Sequence, residues 1–193
     1  MKANSSEIFS RVQAELKANG YREKDVTFSS GKATVFGVLY ALPFITILGL
    51  VYRFLLLERA HLLETGVLSF YIMFIAIIVV SVAIHELLHG IGWAISSGKG
   101  WQAVRFNIHA MMPSCACKTA LKKKSVLAPF VVLGLGSALF VFVYPGTVSF
   151  LTMMVNFVAV GADLLIAVRV VKEDNCLIAD HPTKAGYIAF YKE

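Results

Sequence analysis

VLSFYIMFIAIIVVSVAI, residues 67–84, runs without a break into His85-Glu86-Leu87-Leu88-His89, and this stretch decides how the chain folds. The first 18 of these residues carry no charge. As a helix they extend about 27 Å, most of a hydrocarbon core about 30 Å thick. The segment therefore reads as a membrane helix whose cytosolic end carries three ionisable side chains. Helical spacing of i, i+4 puts His85 and His89 on one face, one turn apart, where both imidazoles can share a metal ion. Glu86 stands beside them, placed to hold a water without being a ligand. Two histidines with a neighbouring non-ligand carboxylate point to Zn²⁺ and to hydrolysis by an activated water. The rival reading is a pair of interfacial histidines with a snorkelling glutamate. It leaves the cost of ionisable groups in lipid without a return, and such groups are usually functional.

The rest of the composition agrees with a membrane protein. Of 193 residues, 58% are hydrophobic and 16% charged, and the mean hydropathy is +0.72; a soluble domain is nearer half apolar and a quarter charged. The polar stretch Met1 to Lys32 has no short apolar core ending in small residues, so no cleavable leader is expected and the first span directs insertion. Three further apolar stretches follow the same length rule: Thr34 to Tyr52, Val126 to Tyr144 and Thr147 to Val171. The span of the opening motif runs from Val67 to about Ile95. Pro43 is tolerable inside the first span because neighbours in lipid satisfy the freed carbonyl. Pro129 suits the opening turn of the third, where Gly134 and Gly136 allow close helix contact. Pro145-Gly146 leaves room only for a tight turn between the last two.

The net charge of +6 is unevenly placed. Lys2, Arg11, Lys17, Arg22, Lys24 and Lys32 precede the first span, and Lys99, Arg105, Lys118 and Lys122-Lys123-Lys124 lie in the loop 96–125, which has no acidic residue. Basic juxtamembrane segments mark the cytosolic side. Both termini and the loop 96–125 are therefore expected in the cytosol, with the loop around Glu58–Gly66 and the Pro145-Gly146 turn outside. Orientation accounts for these charges, and no nucleic-acid partner is expected. The expected fold is an all-α membrane protein with about four transmembrane helices. It divides into a cytosolic amphipathic segment 1–32, a four-span domain 33–171 and a cytosolic tail 172–193.

Two smaller elements are expected on the cytosolic side. Ile8, Phe9, Val12 and Leu16 recur among charged positions from Ser6 to Asn19 and stop at Gly20, a short amphipathic helix lying on the membrane or packed on the loop. Within Trp101–Lys118, the alternation of Val104 to His109 and then Cys115-Ala116-Cys117 suggests a β-hairpin against the mouth of the bundle, whose edge suits an extended peptide. Cys115, Cys117 and Cys176 fall on cytosolic segments, where a disulfide framework is not expected. Cys115 and Cys117 with His109 could make a second metal site, but no fourth ligand is evident, and reduced structural thiols are the better reading.

A catalytic zinc ion takes three protein ligands and keeps one position open. Asp163 is the acid inside another span that can supply the third. Counted from the outer ends, His85 lies about 27 Å along its helix and Asp163 about 24 Å along its own, so the two share a depth. An ion pair with Arg169 is the alternative for Asp163, but six residues is not a same-face spacing. Asn156 lies two turns before Asp163 on the same face. It could orient a scissile carbonyl or hydrogen-bond a substrate strand, or else bond between helices.

The order His85-Glu86-Leu87-Leu88-His89-Gly90, then Pro129 opening a span, then Asn156 and Gly161-Ala162-Asp163-Leu164-Leu165, resembles a bacterial family of small zincin membrane peptidases. Its layout is similar to site-2-protease-type intramembrane metalloproteases. The resemblance spans about Val67 to Val171, with Gly186-Tyr187 as a closing part of the tail. It implies that His85, His89 and Asp163 ligate zinc and that Glu86 is the general base. The chain departs from the site-2 pattern at two places: Phe157 rather than proline follows Asn156, and Leu164 rather than glycine follows Asp163. These changes bear on substrate binding and on Asn156, not on the metal ligands. The expected activity is hydrolysis of peptide bonds in membrane-associated protein substrates, near the cytosolic face of a bacterial cell membrane. A metal-binding scaffold without catalysis would keep the same ligands. A metal transporter would need polar outer halves, which these spans lack.

Overall fold

Three helices in a computed structural model of the chain are long and apolar enough to cross a membrane. The structure describes residues 5–109, 112–117, 119–121, 128–181 and 183–193. Helix α1 covers Ser5–Ala18, strand β1 Tyr21–Phe28 and helix α2 Ser30–Val51. Helix α2 passes through Pro43 and continues by a π turn, Tyr52–Leu56, and a 3₁₀ turn, Leu57–Arg59, so that the whole segment Gly31–Arg59 is span-length. Helix α3, Val67–Ser96, carries the opening motif near its end. A hairpin of β2 (Val104–His109) and β3 (Met112–Cys117) follows. A π-helical segment, Phe130–Leu135, leads into α4 (Gly136–Val143), and α5 covers Thr147–Lys172. Strands β4 (Cys176–Asp180) and β5 (Ala185–Lys192) end the chain.

Two expectations change. The third apolar stretch forms a helix from Phe130 to Val143, shorter than the other three, so the described residues hold three span-length helices rather than four. Six of its residues, directly after Pro129, are wound as a π-helix. The start expected at Val126, like Lys118 and Lys122 to Lys124, lies outside the described residues. Nor is the fold all-α: β1, β5 and β4 form a three-stranded antiparallel sheet in that order, so the N-terminal segment and the tail are strand partners.

The chain divides into two compact units, Met1–Thr34 with Glu86–Val126 and Ile166–Glu193, and Val35–His85 with Leu127–Leu165. In the first, β5 is central and alternates strictly. Tyr187, Ala189 and Tyr191 pack with Val170, Cys176 and Ile178, while Ile188 and Phe190 pack with Ala179, Phe9 and Leu16. The apolar stripe of α1 therefore covers one sheet face and the end of α5 covers the other. Lys24 reaches from β1 to the buried Glu173 at 2.8 Å, and Tyr191 donates to the same carboxylate. Leu121 exchanges backbone hydrogen bonds of 2.7 and 2.8 Å with Ile178, tying the segment after the hairpin to the edge strand β4.

In the second unit, Ala41, Tyr52, Leu56, Val141, Met153 and Phe157 form one core, with the rings of Phe44 and Phe157 stacked at 5.4 Å. The two connections expected outside adjoin each other: His61 N–H donates to the Pro145 carbonyl at 2.9 Å, and Leu63 N–H to Thr147 Oγ1 at 3.0 Å. Helices α2 and α5 cross at a pair of glycines. A Cβ on Gly161 would lie 2.1 Å from the Gly37 carbonyl oxygen, an approach open only to residues without a side chain.

Candidate metal centre

Two helices supply the site. His85 lies on the stretch of α3 that Ser81 also occupies, buried, one turn earlier. Asp163 lies on α5, two residues after the Gly161 crossing. Both are almost enclosed, 8% and 9% exposed. His85 Nε2 and Asp163 Oδ2 stand 3.1 Å apart. His89 follows one turn after His85 on the same helix, with its ring 5.9 Å from that of Trp93. The ligand atoms of His85, His89 and Asp163 all lie within 4.8 Å of one another.

This donor set fits zinc. Two imidazoles and a carboxylate make a catalytic type of ligand set, and tetrahedral bonds of about 2.1 Å set ligand atoms about 3.4 Å apart. The 3.1 Å separation of His85 and Asp163 is already close to that value. Without an ion the same contact would be an imidazole–carboxylate pair, which needs no second histidine at the next turn. The side chains whose depths agree when counted along the spans are therefore brought together.

Glu86 is half-buried, and its Oε2 accepts a hydrogen bond of 2.5 Å from the main-chain N–H of Cys115 in β3. Gly90, buried, lies where the hairpin side chains pack closely on α3. A Cβ there would sit 2.8 Å from Phe106 Cζ, 3.2 Å from Trp101 Cζ3 and 3.4 Å from Cys115 Sγ. Burial, with the Glu86, Asp180 and Cys117 charges behind it, pushes the Cys115 thiol up to about 12. Cys117 N–H lies 3.4 Å from an Asp180 oxygen and its sulfur 3.6 Å from Thr119 Oγ1. All three cysteines are reduced. Among the described residues the one group of three or more His, Cys, Asp or Glu side chains able to hold an ion is His85, His89 and Asp163, so Cys115 and Cys117 gather no second cluster there. The side chain of His109 lies outside the described residues.

Asn156 is 3% exposed, and its Oδ1 has no hydrogen-bond partner among the described residues. Seven residues of helix place it about 10.5 Å from Asp163 along the axis. It belongs to the same face but not to the same cluster of atoms. Arg169, the alternative partner for Asp163, instead lies over the Phe28 ring at 5.3 Å.

The family model described as Putative zincin peptidase matches residues 78–178, more than half of the chain. The chain belongs to this zincin peptidase family. No curated protein and no solved structure matches it. The matched region begins within α3 before His85 and ends within β4, so it takes in Glu86, the hairpin and Asp163. A zincin family implies zinc, in agreement with the ligand set on α3 and α5. The sequence alone missed Cys115 as a partner of Glu86, because the group involved is a backbone amide that every residue except proline carries. It also passed over Gly90 and Gly161 as packing positions, although a glycine beside a candidate ligand inside a membrane helix is a usable signal of close approach.

Proposed function

We propose that the chain is a zinc-dependent, membrane-embedded peptidase that cleaves membrane or membrane-proximal proteins near the cytosolic face. The observation that carries this reading is the convergence of His85, His89 and Asp163 ligand atoms within 4.8 Å, beside a carboxylate that is not among them. Bound by these three residues, zinc would supply the Lewis acidity that makes water a nucleophile near neutral pH. The rest of the chemistry falls to the chain. Glu86 accepts a proton on a carboxylate oxygen from the attacking water and returns it to the leaving amine. The Cys115 amide fixes the other end of that carboxylate's geometry. Asn156 is too far along α5 to share a carbonyl with Asp163, so its unpartnered Oδ1 suits a substrate backbone N–H. The basic segments set the motif end of α3 toward the cytosol, where water reaches the site without crossing the bilayer. The proposed topology keeps four crossings, with the shorter Phe130–Val143 helix as the third, since mismatch is accommodated by local thinning.

The test is Glu86→Gln. Glutamine is nearly isosteric and leaves the ligands untouched but cannot accept the water's proton. Zinc content should stay at about one ion per chain while cleavage falls by a factor of about 10² or more. Fragments of membrane proteins, compared by mass spectrometry between cells expressing wild type and Glu86→Gln, would name the substrate. Identical fragment patterns, with Glu86→Gln still complementing a deletion, would establish a metal-binding scaffold in place of a peptidase.

A further inference from the structure

We propose that the β2–β3 hairpin is a positioning device for Glu86, seated by Gly90 and acting through the main-chain N–H of Cys115. The inference rests on the peptidase reading for its catalytic meaning, but the contact itself can be measured without catalysis. Three observations carry it. First, the Cys115 N–H points out of the hairpin and donates to Glu86 Oε2 at 2.5 Å; a charge-assisted bond of this kind is short and strong. Second, Gly90 lies one turn beyond Glu86, and Phe106, Trp101 and Cys115 close on the space its side chain would fill. The ring ends of Phe106 and Trp101 pack over the bare backbone at residue 90, and a branched side chain there would push them outward. Third, the far end of the same strand is held as well. Cys117 N–H lies against Asp180, and Leu121 pairs with Ile178 on the edge of the three-stranded sheet. The strand is thus fixed at the helix and at the sheet, and the amide between presents a rigid donor.

The chemical need is specific. A general base works only within hydrogen-bond reach of the proton it takes, and a free glutamate has three rotatable bonds with which to leave that position. Holding one oxygen by a backbone donor removes this freedom. A misplacement of about 1 Å in such a group can cost about a hundredfold in rate. Cys115 contributes its amide rather than its thiol, which stays protonated. The identity of the side chain is therefore unimportant, and the absence of proline is what matters.

Cys115→Pro removes the donor and Gly90→Val displaces the hairpin; Cys115→Ala keeps the amide. Hydrogen–deuterium exchange resolved to residue 115, on zinc-loaded full-length protein in detergent micelles, reads the contact directly. The Cys115 amide should exchange at least about tenfold faster in Glu86→Ala and in Gly90→Val than in wild type. Equal exchange in wild type and Glu86→Ala overturns the proposal, whether or not the protein cleaves anything. The second readout is zinc-dependent cleavage of fluorescein-labelled casein. Cys115→Pro and Gly90→Val should lower kcat by about ten- to a hundredfold with KM and zinc content unchanged, and Cys115→Ala should retain wild-type kcat. Wild-type kcat in Cys115→Pro refutes the positioning role even if the amide is protected. Where casein is left uncut, the exchange rates alone decide the proposal.

Discussion

Gly161→Ala should cost this protein its metal before it costs it its fold. The added methyl would lie 2.1 Å from the Gly37 carbonyl oxygen, 2.9 Å from its carbon and 3.2 Å from its Cα. Carbon–oxygen contacts of this kind settle at about 3.3 Å, so α2 and α5 must part by more than about 1 Å there. The obstructing atoms are backbone and cannot swing aside as a side chain would. Asp163 is two residues further along α5 and moves with it, away from a His85 nitrogen now 3.1 Å distant. Metal ligands tolerate about 0.2 Å. Zinc affinity should fall at least about ten- to a hundredfold, the range seen when a ligand's support is removed, and overpacking should destabilise the protein by about 1–3 kcal/mol. Gly37→Ala is the internal control, since its Cβ would meet Ala162 N at 3.2 Å and Ala162 Cβ at 3.4 Å. A shift of a few tenths of an ångström relieves that, and zinc affinity should change little. Competition with a chelator gives the affinities and thermal unfolding in micelles gives the stabilities. Equal zinc affinity and Tm in wild type and Gly161→Ala would refute the crossing as the element that places Asp163.

Asp163→Asn and His85→Ala should each reduce zinc well below the wild-type content in metal analysis of purified protein; full occupancy in both would remove the site. The Cys115 thiol, pushed up to about 12, stays protonated at pH 8, where an ordinary thiol of pKa about 8.5 is already partly thiolate. Its alkylation by iodoacetamide should therefore be slow at pH 8 and rise only as pH approaches the raised value, and wild-type alkylation matching the unfolded protein at pH 8 would contradict the burial. Reporter fusions at Glu193 and within the loop 96–125 should signal cytosol and one at Glu64 outside. An external signal from the loop would reverse the topology.

The helical part of this fold was legible because lipid imposes one simple demand: enough apolar length to cross. Residues 67–96 and 147–172 satisfy it with few charges, and their ends fell within a residue or two of the structure's. The helix after Pro129 met the composition rule, but composition does not record that its residues Phe130–Leu135 are wound as a π-helix. The sheet was hidden for a different reason. Strand β1, YREKDVTF, places Arg22, Glu23, Lys24 and Asp25 in succession, and its edge position lets them stay exposed. No period-2 apolar signal survives in it. Its partner β5 is apolar on both faces because α1 covers one and α5 the other. It therefore reads as a plain apolar run, which periodicity cannot assign. Each strand becomes intelligible only with the other beside it.

The candidate site divides along the same line. His85, His89 and Asp163 could be brought together from sequence because two quantities that helices fix, the face and the depth, had to agree for residues 74 or more positions apart, and they did. Such reasoning places side chains on helices but stops at their surfaces. What meets Glu86 is a backbone amide, and what packs over Gly90 is the ring ends of Phe106 and Trp101. The close crossing two residues before Asp163 likewise needs an absence, at Gly161. A missing side chain has no chemistry of its own to announce it, so the residues that tune this centre are the ones least visible in the chain. They are also the residues at which one added carbon should separate metal binding from base positioning, since Gly161 lies near the proposed ligand Asp163 and Gly90 near the proposed base Glu86.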